Sequence, residues 1–384
     1  MINMVDISIL EITARDSFPT LGLPNLHLWE PTLQTLAKQT KKSFEVVVVD
    51  CFYHERPNYF KEHNYGLRIK HIPAAPNPWS ELGLCQTCHQ FNKGMVHADG
   101  ELIFTNADSS MLPPDLLANL WKHYLDGYFV SLGVGADLTY VSDDELKERK
   151  MPPDNEHEFS WQAMEIVTNP IITTDWYRFL KFEGKRVSMD DRYEKSFRVG
   201  NAEMVHINPT WYFGIGTVSL EAMLKLNGFD LNFDGESALN DIDFGHRLCL
   251  AGYKNLAMFR DSYVVEAYAK LGWHPKMKPR IEIKCNWALL LYNYYCNRFR
   301  VNEPLSPSDI DRIMHDICGL RCRLQKTCRE FYKNRAPFYD KSVLSYFEHW
   351  KKNVMSKNID YVEERELRKS GEDLYSEGTF VNVS

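Results

Sequence analysis

Residues 44–50 read FEVVVVD, and this run decides the fold of the first part of the chain. Near-continuous apolar runs of this length are typical of strands that are buried on both faces, as in a parallel sheet covered by helices. The run ends in a carboxylate, Asp50, which then stands at the carboxyl end of the strand. The segment therefore predicts an inner strand of a parallel sheet.

Similar segments lie on both sides of this run. Residues 5–13, 67–72 and 102–105 have the composition of further strands, and apolar residues recur at helical spacing within 26–37 and 81–97. Strands that alternate with helices form βαβ units. The sequence therefore predicts an α/β fold, in which a mostly parallel sheet is flanked by helices.

Polar residues stand at three of the predicted strand ends. Thr13 and Arg15 follow the first strand, Asp50 ends the second, and Asn106 and Asp108 follow the fourth. In open α/β sheets, ligands bind at the carboxyl ends of the strands. These residues therefore form a candidate site before any family is considered.

Composition and charge exclude several classes of protein. The chain has 384 residues, 45 Lys and Arg against 52 Asp and Glu, a formal net charge of −7 and 44% hydrophobic residues. Such a composition is ordinary for a globular protein, and the acidic balance lacks the basic field of a non-specific nucleic-acid binder. No run approaches the ~18–20 apolar residues of a membrane-spanning helix. We see no signal-peptide pattern, so we expect a cytoplasmic location.

Two cysteine patterns are set aside. The chain has nine cysteines, an odd number, and it shows no secretion signal. Both observations favour free thiols. Residues 85–89, CQTCH, match the haem-attachment pattern, but that chemistry needs an exported chain. The group His315, Cys318, Cys322 and Cys328 lacks the paired spacing of a zinc knuckle. Neither pattern predicts a metal or haem site.

The second part of the chain divides into three stretches. Residues 141–205 are charged, contain proline and have weak periodicity, so we expect a long loop or a small excursion that covers a substrate. From 207 onward the pattern predicts helices at 220–226 and 241–251 and strands at 255–260 and 262–268. Beyond about 281 the pattern is helical to the end.

Several motifs in sequence order resemble those of a GT-A-fold glycosyltransferase, most like the inverting family 2. They are VVVVD at 46–50, NKG at 92–94, ADGE at 98–101, NAD at 106–108, LNGFD at 226–230, NDIDFGHRL at 240–248 and AGY at 251–253. The resemblance spans roughly residues 5–275. It implies a GT-A domain at 1–280, with a nucleotide-binding half at 1–110, an acceptor half at 111–280, and a helical C-terminal region at 281–384. That region is expected to complete the acceptor site, cap the sheet or mediate oligomerisation.

The resemblance implies a divalent cation, Mn²⁺ or Mg²⁺. Residues 106–108 stand where the family carries Asp-x-Asp, so Asp108 is implied as the direct metal contact and Asn106 lies nearer the ribose. His274 stands where many relatives place a further metal ligand. A cation neutralises the diphosphate that leaves the donor sugar. The sequence alone allows alternative interpretations: residues 106–108 also fit a turn, and His274 also fits a structural or surface histidine.

Four residues are implied to contact the nucleotide besides Asn106. Asp50 accepts a hydrogen bond from a ring nitrogen of the base, and Thr13, Arg15 and Asn92 lie near the nucleotide. Arg15 equally fits a solvated surface charge. Cys51 replaces the acid that usually follows Asp50, which leaves the identity of the base open.

Residues 240–243, NDID, match the Glu-Asp motif of the family, which assigns Asp241 as the general base. The alternative is that Asn240 caps a helix whose first-turn acids favour the helix dipole. Three more acids lie close by in the sequence, at 230, 234 and 236, which is more than helix capping requires. This clustering favours a catalytic role for Asp241. Trp211 and Asp243 are assigned to acceptor binding, although Trp211 also fits a core residue. If the helix has begun, Asp241 and Asp243 lie on different faces.

The sequence thus predicts metal-assisted, inverting transfer of a sugar from a nucleoside-diphosphate sugar to a hydroxyl acceptor. The acceptor stays open among a glycan, a lipid, a protein and a modified base. One alternative is a degenerate GT-A protein that binds a sugar or a partner, because Asn106 and Asn240 replace acids. A nucleotidyltransferase is disfavoured, since residues 14–20 lack its Gly-rich basic loop.

Overall fold

The computed structural model describes thirteen ranges of the chain: residues 5–12, 26–50, 53–54, 58–74, 87–107, 110–137, 187–189, 193–209, 215–234, 239–267, 286–315, 352–370 and 379–381. Within these ranges, no helix has both the length and the apolar character needed to cross a membrane.

The strands of the described ranges are β1 (Ile7–Ile12), β2 (Phe44–Asp50), β3 (Ile69–Pro73), β4 (Leu102–Ala107), β5 (Ser110–Met111), β6 (Phe129–Val130), β7 (Gly133–Asp137), β8 (Val187–Met189), β9 (Met204–His206), β10 (Gly216–Ser219), β11 (Leu256–Phe259), β12 (Tyr263–Ala267) and β13 (Thr379–Val381). The α-helices include α1 (Leu26–Ala37), α2 (Tyr59–Glu62), α3 (Thr87–His97), α4 (Leu116–Leu125), α5 (Leu220–Lys225), α6 (Asn240–Leu250), α7 (Asn286–Tyr295) and α8 (Tyr361–Ser370). Residues 307–315 and 352–355 are also helical. Glu194–Val199 forms a π-helical turn and Leu231–Phe233 a 3₁₀ turn.

The central sheet has six strands in the order β10-β4-β1-β2-β3-β13. The four inner strands pair in parallel, and β10 and β13 pair antiparallel at the two edges. Two smaller sheets have the orders β6-β11-β9 and β5-β12-β7-β8. The predicted α/β class, a mostly parallel sheet flanked by helices, is confirmed.

Both faces of the central sheet are buried, as residues 44–50 predicted. On one face, Ile9 and Val46 belong to a core cluster that includes Leu33 of α1. On the other face, Leu10 and Val47 belong to a cluster that includes Met95 of α3. Side chains alternate between faces along a strand, so an inner strand covered on both sides must be apolar almost throughout.

A buried ionic cluster joins the strands at the amino end of the sheet. Glu45 of β2 accepts hydrogen bonds from the Ser8 hydroxyl at 2.7 Å and from the Asp99 backbone N–H at 2.7 Å. Its other carboxylate oxygen lies 2.9 Å from Lys70 Nζ. Lys70 also contacts Asp99 at 2.7 Å. Because every charge here has a partner, the buried carboxylate is tolerated.

His97, the last residue of α3, couples stability to pH. Its side chain is buried, and desolvation, followed by the positive charge of Arg368, lowers its pKa from 6.5 to about 3. Between pH 6.5 and 3, His97 is therefore mostly protonated in the unfolded chain and mostly neutral in the folded chain. The free energy of unfolding consequently decreases as the pH falls from 6.5 toward 3. Between pH 6.5 and 5 the loss amounts to about 1.6 kcal/mol.

We expect urea unfolding at both pH values to show this loss in the wild type and to show a smaller loss in His97→Gln, which has no titrating group there. Other groups titrate in both proteins and cancel in the comparison. Equal losses in the two proteins would show that His97 does not carry the effect.

One expectation about the later part of the chain is wrong. The chain is not helical throughout from 281 onward, because β13 pairs with His71, Lys70 and Ile69 of β3. A segment of three residues is too short to display a period, and the unpaired edge of β3 selects its conformation. Of residues 141–205, the described part contains β8, the π-helical turn and the start of β9, whereas 141–186 lie outside the described residues. The expected long loop or small excursion therefore stays a prediction.

Candidate active site

A row of polar side chains crosses one face of the sheet near its carboxyl edge. Glu11 of β1 is the register partner of Asn106 on β4 and of Val48 on β2, and Val48 is the partner of His71 on β3. Register partners on neighbouring strands point to the same face of the sheet. Asp50 lies on that face two residues beyond Val48, so the strand ends bring four polar residues together.

Asp50 and His71 form a buried pair. The His71 Nε2 atom lies 2.7 Å from Asp50 Oδ2, and both side chains are fully buried. Because a carboxylate only accepts, the ring nitrogen is the donor. The His71 ring packs against the rings of Tyr53 and Phe60, with centroids 4.6 and 4.7 Å apart. Sequence reasoning found Asp50 and missed His71; contact between Asp50 and the base stays a prediction.

Asn106 and Glu11 form the second pair of the row. Asn106 Nδ2 donates to Glu11 Oε1 at 2.6 Å, and both residues are almost completely buried. Sequence reasoning placed Asn106 near the nucleotide and missed Glu11. The available signal was one ionisable residue among the apolar side chains of residues 9–12.

Five predicted site residues lie outside the described residues: Thr13, Arg15, Asp108, Trp211 and His274. Among the described residues, no group of three or more His, Cys, Asp or Glu side chains could hold a metal ion. The described polar groups at the carboxyl edge nevertheless include the oxygens of Glu11, Asn106 and Asp50. Such hard oxygen donors suit Mg²⁺ or Mn²⁺ in type.

The Asn92 side chain forms hydrogen bonds with the backbone of the loop that follows α5. Its Oδ1 accepts the Phe229 backbone N–H at 2.7 Å, and its Nδ2 donates to the Phe229 carbonyl at 2.8 Å and to the Tyr361 hydroxyl at 3.1 Å. Gly228 has φ +72°, and a Cβ there would lie 2.3 Å from Asn92 Oδ1. The carbonyl oxygen and the NH₂ group of the buried Asn92 side chain thus both form hydrogen bonds within the protein. Contact between Asn92 and a nucleotide stays a prediction.

Two further buried asparagines tie this loop to later segments. Asn227 Nδ2 donates to the Val301 carbonyl at 2.7 Å and to the Ile359 carbonyl at 2.6 Å. Asn302 Nδ2 donates to the Asn227 carbonyl at 2.8 Å. The loop that leads toward α6 is therefore held by residues that lie far along the chain.

The predicted acceptor residue Asp243 lies instead in a buried ion pair. Its Oδ2 lies 2.6 Å from Arg247 Nε, and its Oδ1 accepts from Asn293 Nδ2 at 2.9 Å. Desolvation, opposed by the charge of Arg247, raises the pKa of Asp243. Asp243 is only 1% exposed, and each of its carboxylate oxygens accepts a hydrogen bond from a protein side chain. This geometry argues against acceptor binding, and we assign Asp243 a structural role.

Two of the acids that favoured catalysis near α6 are also structural. Asp234 accepts the backbone N–H groups of Cys88 and His89 at 2.9 and 3.0 Å, at the start of α3. A carboxylate there satisfies helix N–H groups and complements the helix dipole. Asp230 accepts from Asn232 N–H at 3.0 Å. Desolvation raises the pKa of Asp230, but the charges of Arg298 and Arg247 and the hydrogen bonds from Asn232 and Asn293 together outweigh it, so the pKa is lowered. The crowding of acids thus gives less support to catalysis than expected.

Asp241 is placed differently from these buried acids. It lies in the first turn of α6, is partly exposed, and its Oδ1 accepts the Ile242 N–H at 2.9 Å. The residue at the N-cap position is Leu239 rather than Asn240. The helix has thus begun by Asn240, and, as predicted, Asp241 and Asp243 lie on different faces.

Leu239 holds a strained backbone conformation, with φ +74° and ψ −11°. Left-handed backbone costs a residue with a Cβ roughly 1 kcal/mol, so the surroundings must enforce it. The buried Leu239 side chain provides such an anchor. The strained turn sets the direction in which α6, and with it Asp241, enters the fold.

Comparison with protein-family models found no match, and neither did comparison with curated protein sequences. Comparison with solved structures found similarity to S. aureus TarS 1–349, among others, at 12% identity and a TM-score of 0.43, covering 96% of this chain and 92% of that chain. The same protein in complex with UDP-GlcNAc has 12% identity and a TM-score of 0.41, with coverage of 97% and 93%.

A mannosyltransferase from Pyrobaculum calidifontis, in complex with GDP-Man and Mn²⁺, has 14% identity and a TM-score of 0.41, with coverage of 94% and 87%. Likeness at these TM-scores and identities identifies no substrate.

Proposed function

We propose that the chain transfers a sugar, with inversion, from a nucleoside-diphosphate sugar to a hydroxyl acceptor. The observation that carries the proposal is the polar row, in which Glu11, Asn106 and His71 lie at the carboxyl edge of a parallel sheet beside Asp50. Nucleotides bind at this edge in open α/β sheets. Asp50 and Asn106 are two of the five residues that the motifs assigned to the nucleotide.

In the proposed reaction, Asp241 accepts the proton of the acceptor hydroxyl. The oxygen then attacks the anomeric carbon from the face opposite the diphosphate, the bond between that carbon and the diphosphate breaks, and the configuration inverts. Partial exposure of Asp241 in the first turn of α6 suits a base that must reach a bound acceptor. The buried acids Asp230, Asp234 and Asp243 do not have this access.

The other roles follow the motifs. Asp50 accepts a hydrogen bond from the base, Thr13, Arg15 and Asn92 lie near the nucleotide, and Trp211 stacks on the acceptor. Asp108 and His274 would hold the cation. When bound, a divalent cation neutralises charge that develops on the diphosphate. We propose that the chain works in the cytoplasm.

Thermal unfolding with nucleotide sugars tests the proposal. UDP-GlcNAc, UDP-glucose and GDP-mannose are added with Mn²⁺ or with a chelator. A sugar nucleotide that binds only the folded chain adds about 2.7 kcal/mol to its stability at 100 times the Kd. We expect at least one nucleotide class to raise the Tm, and the rise to be larger with Mn²⁺.

The same samples are assayed for release of UDP or GDP. Release that needs an acceptor supports transfer, whereas binding without release supports the alternative of a sugar-binding module, which Asn106 and Asn240 in place of acids would favour. No Tm rise with any sugar nucleotide would refute the proposal.

A further inference from the structure

Glu11 is a carboxylate on an inner strand of the central sheet, near the carboxyl end of that strand. It lies on β1 between β2 and β4, and its side chain is completely buried. Removing an ionised carboxylate from water is costly unless hydrogen bonds or charges compensate it. The other residues on the same face of β1, Ile7 and Ile9, are apolar core residues. An acid at this one position therefore calls for a local partner.

One such partner is Asn106. The two residues are register neighbours on β1 and β4, and Asn106 Nδ2 donates to Glu11 Oε1 at 2.6 Å. A carboxylate has no hydrogen to donate, so the amide can present only its NH₂ group to Glu11. Glu11 thereby selects one of the two orientations of the Asn106 amide.

This orientation leaves the Asn106 carbonyl oxygen for another group. Oδ1 is buried and has no hydrogen-bond partner among the described residues. A buried carbonyl oxygen without a donor costs free energy that a ligand with an O–H or N–H can recover. The strand end on which Asn106 lies is the edge where the proposed nucleotide binds.

We propose that Glu11 is a positioning residue of the nucleotide site, which orients the Asn106 amide so that its carbonyl oxygen accepts a hydroxyl of the nucleoside sugar. Glu11 also places a carboxyl group on the neighbouring strand, next to Asn106, which stands where the motif has an acid. The inference rests on the proposed function, because it needs a bound nucleotide.

Glu11→Gln tests the orientation. Glutamine carries both a donor and an acceptor, so the pair of amides can form its hydrogen bond in either sense and Asn106 is no longer fixed. We expect calorimetry to show about tenfold weaker binding of UDP or GDP, whichever the wild type prefers. We also expect the wild type to bind the 2′-deoxy or the 3′-deoxy form more weakly, and this discrimination to shrink in the variant.

A charge exchange separates positioning from packing. Asn106→Asp alone puts two carboxylates within hydrogen-bond distance, and we expect both nucleotide affinity and Tm to fall. In the double variant Glu11→Gln/Asn106→Asp, the glutamine amide donates to the introduced carboxylate, which restores one charge and one hydrogen bond. We expect the double variant to bind the nucleotide more tightly than Asn106→Asp by about tenfold.

Glu45→Gln is the matched control. Glu45 is another fully buried carboxylate of the same sheet, but it lies at the amino end, bound to Ser8 and Lys70. We expect its replacement to lower the Tm and to leave the nucleotide Kd unchanged.

Two results would overturn the inference while leaving the proposed function intact: a Glu11→Gln variant with the wild-type Kd, or a wild type that does not distinguish the nucleotide from both of its deoxy forms. The second measurement needs no variant, so it decides even if Glu11→Gln does not fold. A wild type that binds neither UDP nor GDP would refute the proposed function and the inference with it.

Discussion

Replacing Asp241 by asparagine is expected to lower kcat for sugar transfer by about 10²–10⁴-fold while nucleotide affinity stays the same. The amide has nearly the shape of the carboxylate but cannot accept the acceptor's proton. Its oxygen can still accept the Ile242 N–H, the bond that Asp241 makes at 2.9 Å in the first turn of α6. Steady-state rates, together with calorimetry of the free nucleotide, measure the two effects separately.

Asp126→Asn is the control for this experiment, because Asp126 is an exposed acid that pairs with Lys122 at the far end of α4. Its replacement should leave kcat unchanged. Transfer at the wild-type rate by Asp241→Asn would exclude Asp241 as the general base. A fall in nucleotide affinity equal to the fall in kcat would instead indicate that the helix start has moved.

Replacing Arg247 by methionine is expected to lower the free energy of unfolding by about 3–5 kcal/mol. Arg247 is fully buried, pairs with Asp243, and donates from Nη1 to the Gly228 carbonyl at 3.0 Å. Methionine fills part of the space but leaves the Asp243 carboxylate buried without its counter-charge. Urea or guanidinium unfolding of both proteins measures the difference.

The double variant Arg247→Met/Asp243→Leu removes both charges, and we expect it to be more stable than Arg247→Met alone. Lys122→Met is the surface control. Lys122 and Asp126 have the same i,i+4 spacing at 2.9 Å, but both are exposed, so we expect no measurable change in stability. A small effect for Arg247→Met would mean that water reaches Asp243 once the guanidinium is gone.

Local pattern was enough to predict the central architecture. The apolar run at 44–50 identified a strand buried on both faces, and the helices that separate the strands required parallel connections. The end of the helix predicted at 220–226 was also a local feature, because Asn and Gly readily adopt the left-handed backbone that ends a helix. Asn227 and Gly228 both adopt it after α5. These features depend on residues that are close together in the sequence.

The site depends on residues that are far apart, and this is why sequence reasoning found only half of it. Glu11 and Asn106 are separated by 95 positions, and their contact depends on the register of β1 and β4. Asp234 was counted with the acids near α6, but its partners are the N–H groups of Cys88 and His89. An acid that caps a helix and an acid that serves a reaction look alike until the partner is known.

The edge strand β13 has a consequence for how the chain folds during synthesis. It pairs with β3, yet Thr379 is translated 306 residues after Pro73 (379 − 73). At about 5–20 residues per second, the ribosome needs roughly 15–60 s for that interval. Throughout it, the backbone of β3 stays open on one side, and an open edge can pair with a strand of another chain. Slower translation should therefore increase aggregation of the nascent protein, and chaperones that bind extended segments should reduce it.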